Sequence, residues 1–178
     1  MRILALLGIS IIWLSCGSFT GDDSRNSIPE PEFFVPFNHA SFPLAAFTDD
    51  GQFPGLSARP NDTFGRMELQ DERGLSLFVM EDSTTCENKK EEIESGIFQI
   101  EYVIDNERIL AYKSSLPDGS ESYHHLFASL LLNGTYYTLE SDPLVSYNQS
   151  ELRQLIDLVN SIRYHNPQSD NRISNGNL

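Results

Sequence analysis

The strongest constraint on this chain is how its apolar residues repeat between Gly65 and Tyr164, and how little chain separates one repeat from the next. Met67 and Leu69 alternate with Glu68 and Gln70, Asp71-Glu72-Arg73-Gly74 turns the chain, and Leu75–Glu81 returns, which predicts a hairpin. Phe98, Ile100, Tyr102 and Ile104 alternate with Gln99, Glu101 and Val103 until Asp105-Asn106 turns the chain. Arg108–Ser114 runs back to Pro117-Asp118-Gly119, a strong turn signal. Ser122–Leu132 then meets Thr135–Leu139 across Asn133-Gly134, the residue pair favoured in two-residue primed hairpin turns. Connections this short cannot carry the crossover that a parallel pair requires, so the strands are expected to form an antiparallel meander.

Two segments break the period of two. After Ser83-Thr84-Thr85, which offers a helix cap, Cys86, Lys90, Ile93 and Ile97 recur at helical spacing. That predicts a short helix with one buried stripe, ended by Gly96. Leu152, Leu155, Ile156, Val159 and Ile162 form the stripe of an amphipathic helix, and Asn148 with Glu151 three residues on resembles a capping box. The expected fold class is α+β: an antiparallel sheet meander packed by a short helix and a C-terminal amphipathic helix.

Upstream the sequence is less regular. Phe33-Phe34-Val35 predicts a strand stopped at Pro36. From Asn38 to Asp62 the chain carries Pro43, Pro54, Pro60, Gly51 and Gly55, which predicts a long loop with at most short extended pieces. A loop of that length in a compact domain is often a binding loop.

The N-terminus reads as an export signal. Only Arg2 is charged before Asp22, and Ile3–Leu14 is apolar apart from Gly8 and Ser10. This run is shorter than the roughly 20 residues that span a hydrocarbon core. A basic start, about a dozen apolar residues and then small residues describe a secretory signal peptide. Trp13-Leu14-Ser15-Cys16 resembles the lipobox of bacterial lipoproteins; Leu14, Ser15 and Cys16 fit, whereas Trp13 stands where an aliphatic residue is usual. The resemblance implies cleavage before Cys16 and lipidation of that cysteine. Ordinary cleavage after Gly17, discarding Cys16, is the alternative. Gly17 after the cysteine resembles the enterobacterial rule for outer-membrane sorting, so a lipid-anchored place in the cell envelope, on the periplasmic or surface face of a Gram-negative outer membrane, is expected. The resulting division is a signal peptide over 1–15, a lipid-anchored flexible tether over 16–31, one α+β domain over 32–164 and a disordered tail over 165–178.

Charge bears on partners. Of the 178 residues, 12 are basic and 26 acidic, for a net charge of −14, and processing would remove Arg2 from the basic side. Such a surface repels nucleic acid and anionic head groups and favours encounter with basic partners. The chain has two cysteines, so with Cys16 as the anchor only Cys86 remains; the domain can form no internal disulfide and has no cysteine-rich metal site.

The C-terminal third also carries a resemblance. Tyr123-His124-His125-Leu126-Phe127, Asn133-Gly134-Thr135-Tyr136-Tyr137-Thr138-Leu139, Ser150-Glu151-Leu152 and Ser161-Ile162-Arg163-Tyr164 follow one another in a way that is similar to PsbP/Mog1-type proteins. The resemblance covers roughly 65–164 and implies their α/β fold and a binding or assembly role rather than catalysis, by analogy alone.

Residues that could carry chemistry each have a plainer alternative. His124 and His125 are adjacent on a strand and point to opposite faces, so they cannot share one metal; one buried and one exposed histidine is expected. A metal site would need His39 or His165 nearby, which nothing in the sequence provides. Cys86 near a helix start could be an activated thiol, but its place on the apolar stripe favours a buried structural one. Asp49-Asp50-Gly51 lacks the oxygen spacing of a calcium loop. No catalytic residue, metal set or cofactor is therefore assigned. The leading expectation is a non-catalytic, membrane-tethered protein-binding module, with Phe42, Phe47 and Phe53 as candidate aromatic anchors on the long loop, core packing beneath that loop being the equal alternative. A sharper version is an immunity or inhibitor protein against a basic envelope toxin. The alternatives are a small-ligand carrier with a pocket between sheet and helix, and a cysteine-dependent enzyme.

Overall fold

The computed structural model describes residues 33–49 and 51–165. The expected signal peptide, Cys16 with its expected lipid, the expected tether, Asp50 and the expected tail beyond His165 lie outside the described residues. Among the described residues, ten strands form two antiparallel sheets, and two helices accompany them.

The larger sheet contains β3 (Ser57–Asn61), β4 (Arg66–Gln70), β5 (Ser76–Glu81), β6 (Gln99–Asp105), β7 (Ile109–Ser115), β8 (Ser122–Leu132) and β9 (Thr135–Ser141), in the spatial order β3-β4-β5-β9-β8-β7-β6. The expected meander is present as β6-β7-β8-β9, and the expected hairpin as β4-β5. The two are joined where β5 pairs with β9, Val79 opposite Leu139. The β8–β9 turn has φ of +50° at Asn133 and +85° at Gly134, as a primed turn requires.

Alternation gives this sheet two apolar faces. One presents Met67, Leu69, Leu77, Val79, Ala111, Leu126, Ala128 and Leu139 to α2 (Gln149–Ser161), which returns Leu152, Leu155, Leu158 and Val159. The other presents Leu110 and Phe127 to α1 (Cys86–Glu94), which crosses from β5 to β6. A register shift between Tyr102 and Ile104 adds one residue to β6, so these two side chains leave the strand on opposite faces: Tyr102 packs with the α1 cluster and Ile104 with the α2 core.

Both helix starts are capped as expected. Thr85 accepts from the Asn88 amide, while Asn148 and Glu151 form a reciprocal capping box. The apolar stripe of α1 requires correction. The helix ends at Glu94, so Ile97 lies in the connection to β6, 76% exposed, and Cys86 is the one buried residue on the helix. Lys89 completes the packed face, its ammonium 5.6 Å from the Phe127 ring centre and paired with Glu140 at 2.7 Å. Cys86 and Ile93 of the expected stripe do pack against this cluster, and the Lys89 stem covers it beside them where Lys90 and Ile97 were expected.

The segment from Asn38 to Asp62 is not one long loop. It contains β3 and also β2 (Leu44–Thr48), the middle strand of a smaller sheet between β1 (Phe33–Pro36) and β10 (Ile162–Tyr164). β2 is a continuous apolar run rather than an alternating one, because it is buried between neighbours. Pro60 is tolerated because β3 is an edge strand, paired only with β4. Ile162 was expected on the helix stripe. It is fully buried, but there the backbone turns extended and pairs opposite Ala46. Just past Tyr164, the His165 amide donates to the Pro43 carbonyl at 2.9 Å and its ring packs edge-on against Phe34.

Candidate functional site

The three phenylalanines expected as anchors do not form a contact surface. Phe42 and Phe53 are only 4% and 3% exposed and belong to the main core, while Phe47 is half-buried against Phe34, ring centres 5.2 Å apart. β2 and β3 pull the segment into the two sheets, and its aromatic side chains follow inward. Gly55 keeps φ at +63°, and a Cβ there would lie 2.4 Å from the Glu72 side chain, so this turn is closely fitted to the β4–β5 hairpin.

The surface feature that stands out lies on the α1 side of the large sheet. Past the C-terminal end of α1, the sheet is left uncovered, and a pocket of about 370 Å³ opens there. Its floor is Ile100 of β6, Tyr112 and Ser114 of β7, and Tyr123 and His125 of β8; Ile93 of α1, Phe98 and Pro143 form its sides. The strand register explains the floor, because Tyr112 stands opposite His125 and Ser114 opposite Tyr123. Exposed apolar side chains stand at or next to these lining residues: Phe98 itself, Ile97 before it, and Leu144, 93% exposed, after Pro143. Singly exposed hydrophobics are common, but several around one apolar pocket mark a binding surface.

Two polar groups of the floor satisfy each other. Ser114 Oγ and His125 Nε2 are 2.8 Å apart, and the imidazole stacks on Tyr112 at 5.0 Å between centres and 30° between planes. Burial holds the His125 pKa below its ordinary value, with His124 adding to the effect, so the imidazole is kept neutral. Burial also pushes the Tyr112 phenol up. Tyr102 is pushed up to about 12 by burial and by the Glu94 carboxylate, to which its hydroxyl donates at 3.1 Å. The result is an uncharged floor. Ser114 and His125 resemble a nucleophile and its base, but among the described residues no carboxylate hydrogen-bonds the imidazole to orient it.

The rim is acidic. Glu94 closes α1 beside Ile93, and Glu121 accepts a hydrogen bond from the Tyr123 hydroxyl. A groove of about 460 Å³ on the other side of α1 is lined by Glu87, Glu91, Glu94, Asp105 and Glu107, with Lys90 its one cation, and Lys90 is itself paired with Asp105. Lys89 is likewise engaged, by Glu140 and Glu92.

The remaining candidates are dispersed. His124 and His125 do point to opposite faces, but both are half-buried rather than one buried and one exposed: His124 Nδ1 lies 2.9 Å from the Tyr147 carbonyl, on the side of α2. His39 is 3.7 Å from Asp62, and His165 packs on Phe34. No group of three or more potential metal ligands gathers among the described residues. Cys86 is 2% exposed beside Leu110 and Phe127, and burial pushes its thiol pKa up, the opposite of an activated thiol. The sequence pointed to none of the pocket residues as a set. The available signal was Tyr112, Ser114, Tyr123 and His125, apolar-or-neutral side chains at every second position of two paired strands.

Comparison with known protein families, with curated proteins and with solved structures gives no match to this chain.

Proposed function

We propose that this protein is a membrane-tethered, non-catalytic binding module of the cell envelope, carried on a lipid at Cys16, and that its working face is the α1 side of the large sheet. The observation that carries this is the apolar pocket lined by exposed Phe98, with exposed Ile97 and Leu144 next in the chain to its lining residues Phe98 and Pro143, on a chain of net charge −14. Such a molecule has no solubility reason to expose an apolar cluster, and a protein partner would cover it. An inhibitor or immunity role against a basic toxin is the form of this reading that best accounts for the acidity. The order hairpin, helix, meander, helix supports a PsbP/Mog1-like fold as the finer description. The tether is tested by fractionation: Cys16→Ser should move the protein from the membrane to the soluble envelope fraction. The binding role is tested by co-purification from envelope extract of the producing strain and its neighbours, at low and moderate salt. One basic envelope protein retained at moderate salt is the expected result; no retained protein would count against the reading.

A second reading is favoured by the pocket's size. About 370 Å³ is within the range that small-molecule sites occupy, so a carrier of a small apolar ligand is the alternative. A ligand-dependent rise in melting temperature in the absence of any protein partner would support it.

A further inference from the structure

We infer that the pocket between α1 and strands β6–β8 receives a single aromatic or large aliphatic side chain from a cationic segment of a partner protein, the flanking Lys or Arg residues of that segment pairing with Glu94 and Glu121 at the rim. This rests on the protein-binding reading above and assigns its site and the chemistry of its partner. The floor offers no charge to pair with: Ser114 and His125 satisfy each other, and Tyr112 and Ile100 present apolar surface. What enters must therefore be apolar, and an anchor of one side chain suits a volume of about 370 Å³. The rim supplies the opposite requirement. Glu94 follows the lining residue Ile93, Glu121 accepts from the hydroxyl of the lining residue Tyr123, Glu91 and Glu107 continue the acidic surface on the other side of α1, and Lys89 and Lys90 on α1 are already held by Glu140 and Asp105. Acidic side chains thus outnumber cations on this side of the sheet, which favours a cationic partner. A second copy of this chain would bring the same carboxylates and is disfavoured for that reason.

The test uses the exported protein with its own N-terminus, held in nanodiscs of zwitterionic lipid, and fluorescein-labelled acetyl-Lys-Lys-Phe-Lys-Lys-amide as probe. Anisotropy gives its affinity, with empty nanodiscs as the blank. The expected result is that changing the central Phe of the probe to Ala weakens binding about tenfold. Glu94→Gln with Glu121→Gln should weaken both probes and flatten their salt dependence, and acetyl-Glu-Glu-Phe-Glu-Glu-amide should not bind. Leu144→Ser and Phe98→Ser, changes at exposed positions, should abolish the Phe preference while circular dichroism shows the fold retained. Equal binding of the Phe and Ala probes would mean that only the acidic surface is recognised and would overturn the proposal. So would a Phe preference untouched by the rim variants, or neutral N-acetyl-phenylalaninamide binding as tightly as the pentapeptide, which would indicate a small-ligand site. If a partner co-purifies equally with the wild type and the rim variants, this assignment falls while the tethered-binding reading stands.

Discussion

Ser114 Oγ lies 2.8 Å from His125 Nε2, and this one hydrogen bond lets two polar side chains from adjacent strands form the floor of an apolar pocket. A buried imidazole stays neutral more cheaply than charged, so burial lowers its pKa in the folded protein below the ordinary 6.5. As pH falls, the unfolded chain takes up this proton first. The neutral His125 therefore contributes stability that is fully present above about 6.5 and is lost as pH falls from there through the folded value. Urea unfolding between pH 7.5 and 5.5 should show a declining midpoint, and His125→Gln should decline less over that window. NMR titration of the His125 ring should place its pKa below that of an unstructured histidine; an equal or higher value would contradict the desolvated floor.

Arg66 is held in the same way by stacking and charge together. Its guanidinium carbon is 3.6 Å from the Phe78 ring centre and 5.0 Å from that of Phe64, and it donates to Glu68 at 2.7 and 2.9 Å. The arginine beside Glu68 holds that carboxyl below the usual range, with help from Asn61. Lysine keeps the charge but loses the planar stack and the fork. Arg66→Lys is predicted to destabilise by about 1 kcal/mol in chemical denaturation, and an unchanged midpoint would show that the stack contributes nothing.

Cys86 packs between Leu110 and Phe127 and is shielded from reagent as well as raised in pKa. Its thiol should react with Ellman's reagent far more slowly than free cysteine in native buffer, and at the free rate once unfolded in urea. Fast reaction in the native state would return it to the list of chemical candidates.

Helix α2 seals the other face of the sheet, and its parts contribute in separable ways. Leu155→Ala removes a fully buried side chain at the core and is predicted to cost about 2–5 kcal/mol. Asn148→Ala removes the capping oxygen that accepts from the Ser150 and Glu151 amides and is predicted to cost about 1 kcal/mol. Equilibrium denaturation of the two variants checks both values, and a cap effect as large as the core effect would be inconsistent with this packing.

The parts of the fold that local pattern determines were legible in the sequence. Strands β4 and β6 alternate at period two, short turns mark the ends of β5 and β7 to β9, Asn133-Gly134 encodes its own turn, and Asn148 with Glu151 encodes the start of α2. What escaped depends on contacts far along the chain. β2 and β10 exist because Ala46 meets Ile162, more than a hundred residues apart, and neither strand alternates. Phe42 and Phe53 looked like loop aromatics because the Pro and Gly residues around them hid the sheet that pulls them inward. The pocket escaped for a related reason: Tyr112, Ser114, Tyr123 and His125 meet only through the β7–β8 register, and the bare patch exists because α1 stops at Glu94.

The most direct test of the proposed working face is hydrogen–deuterium exchange of the protein with and without a partner captured by co-purification. The prediction is slowed exchange along residues 93–100 and 112–125 and around Leu144 on binding, with little change in β1, β2 and β10. Protection confined to the small sheet or to the segment 51–56, with residues 93–100 and 112–125 unaffected, would contradict the account.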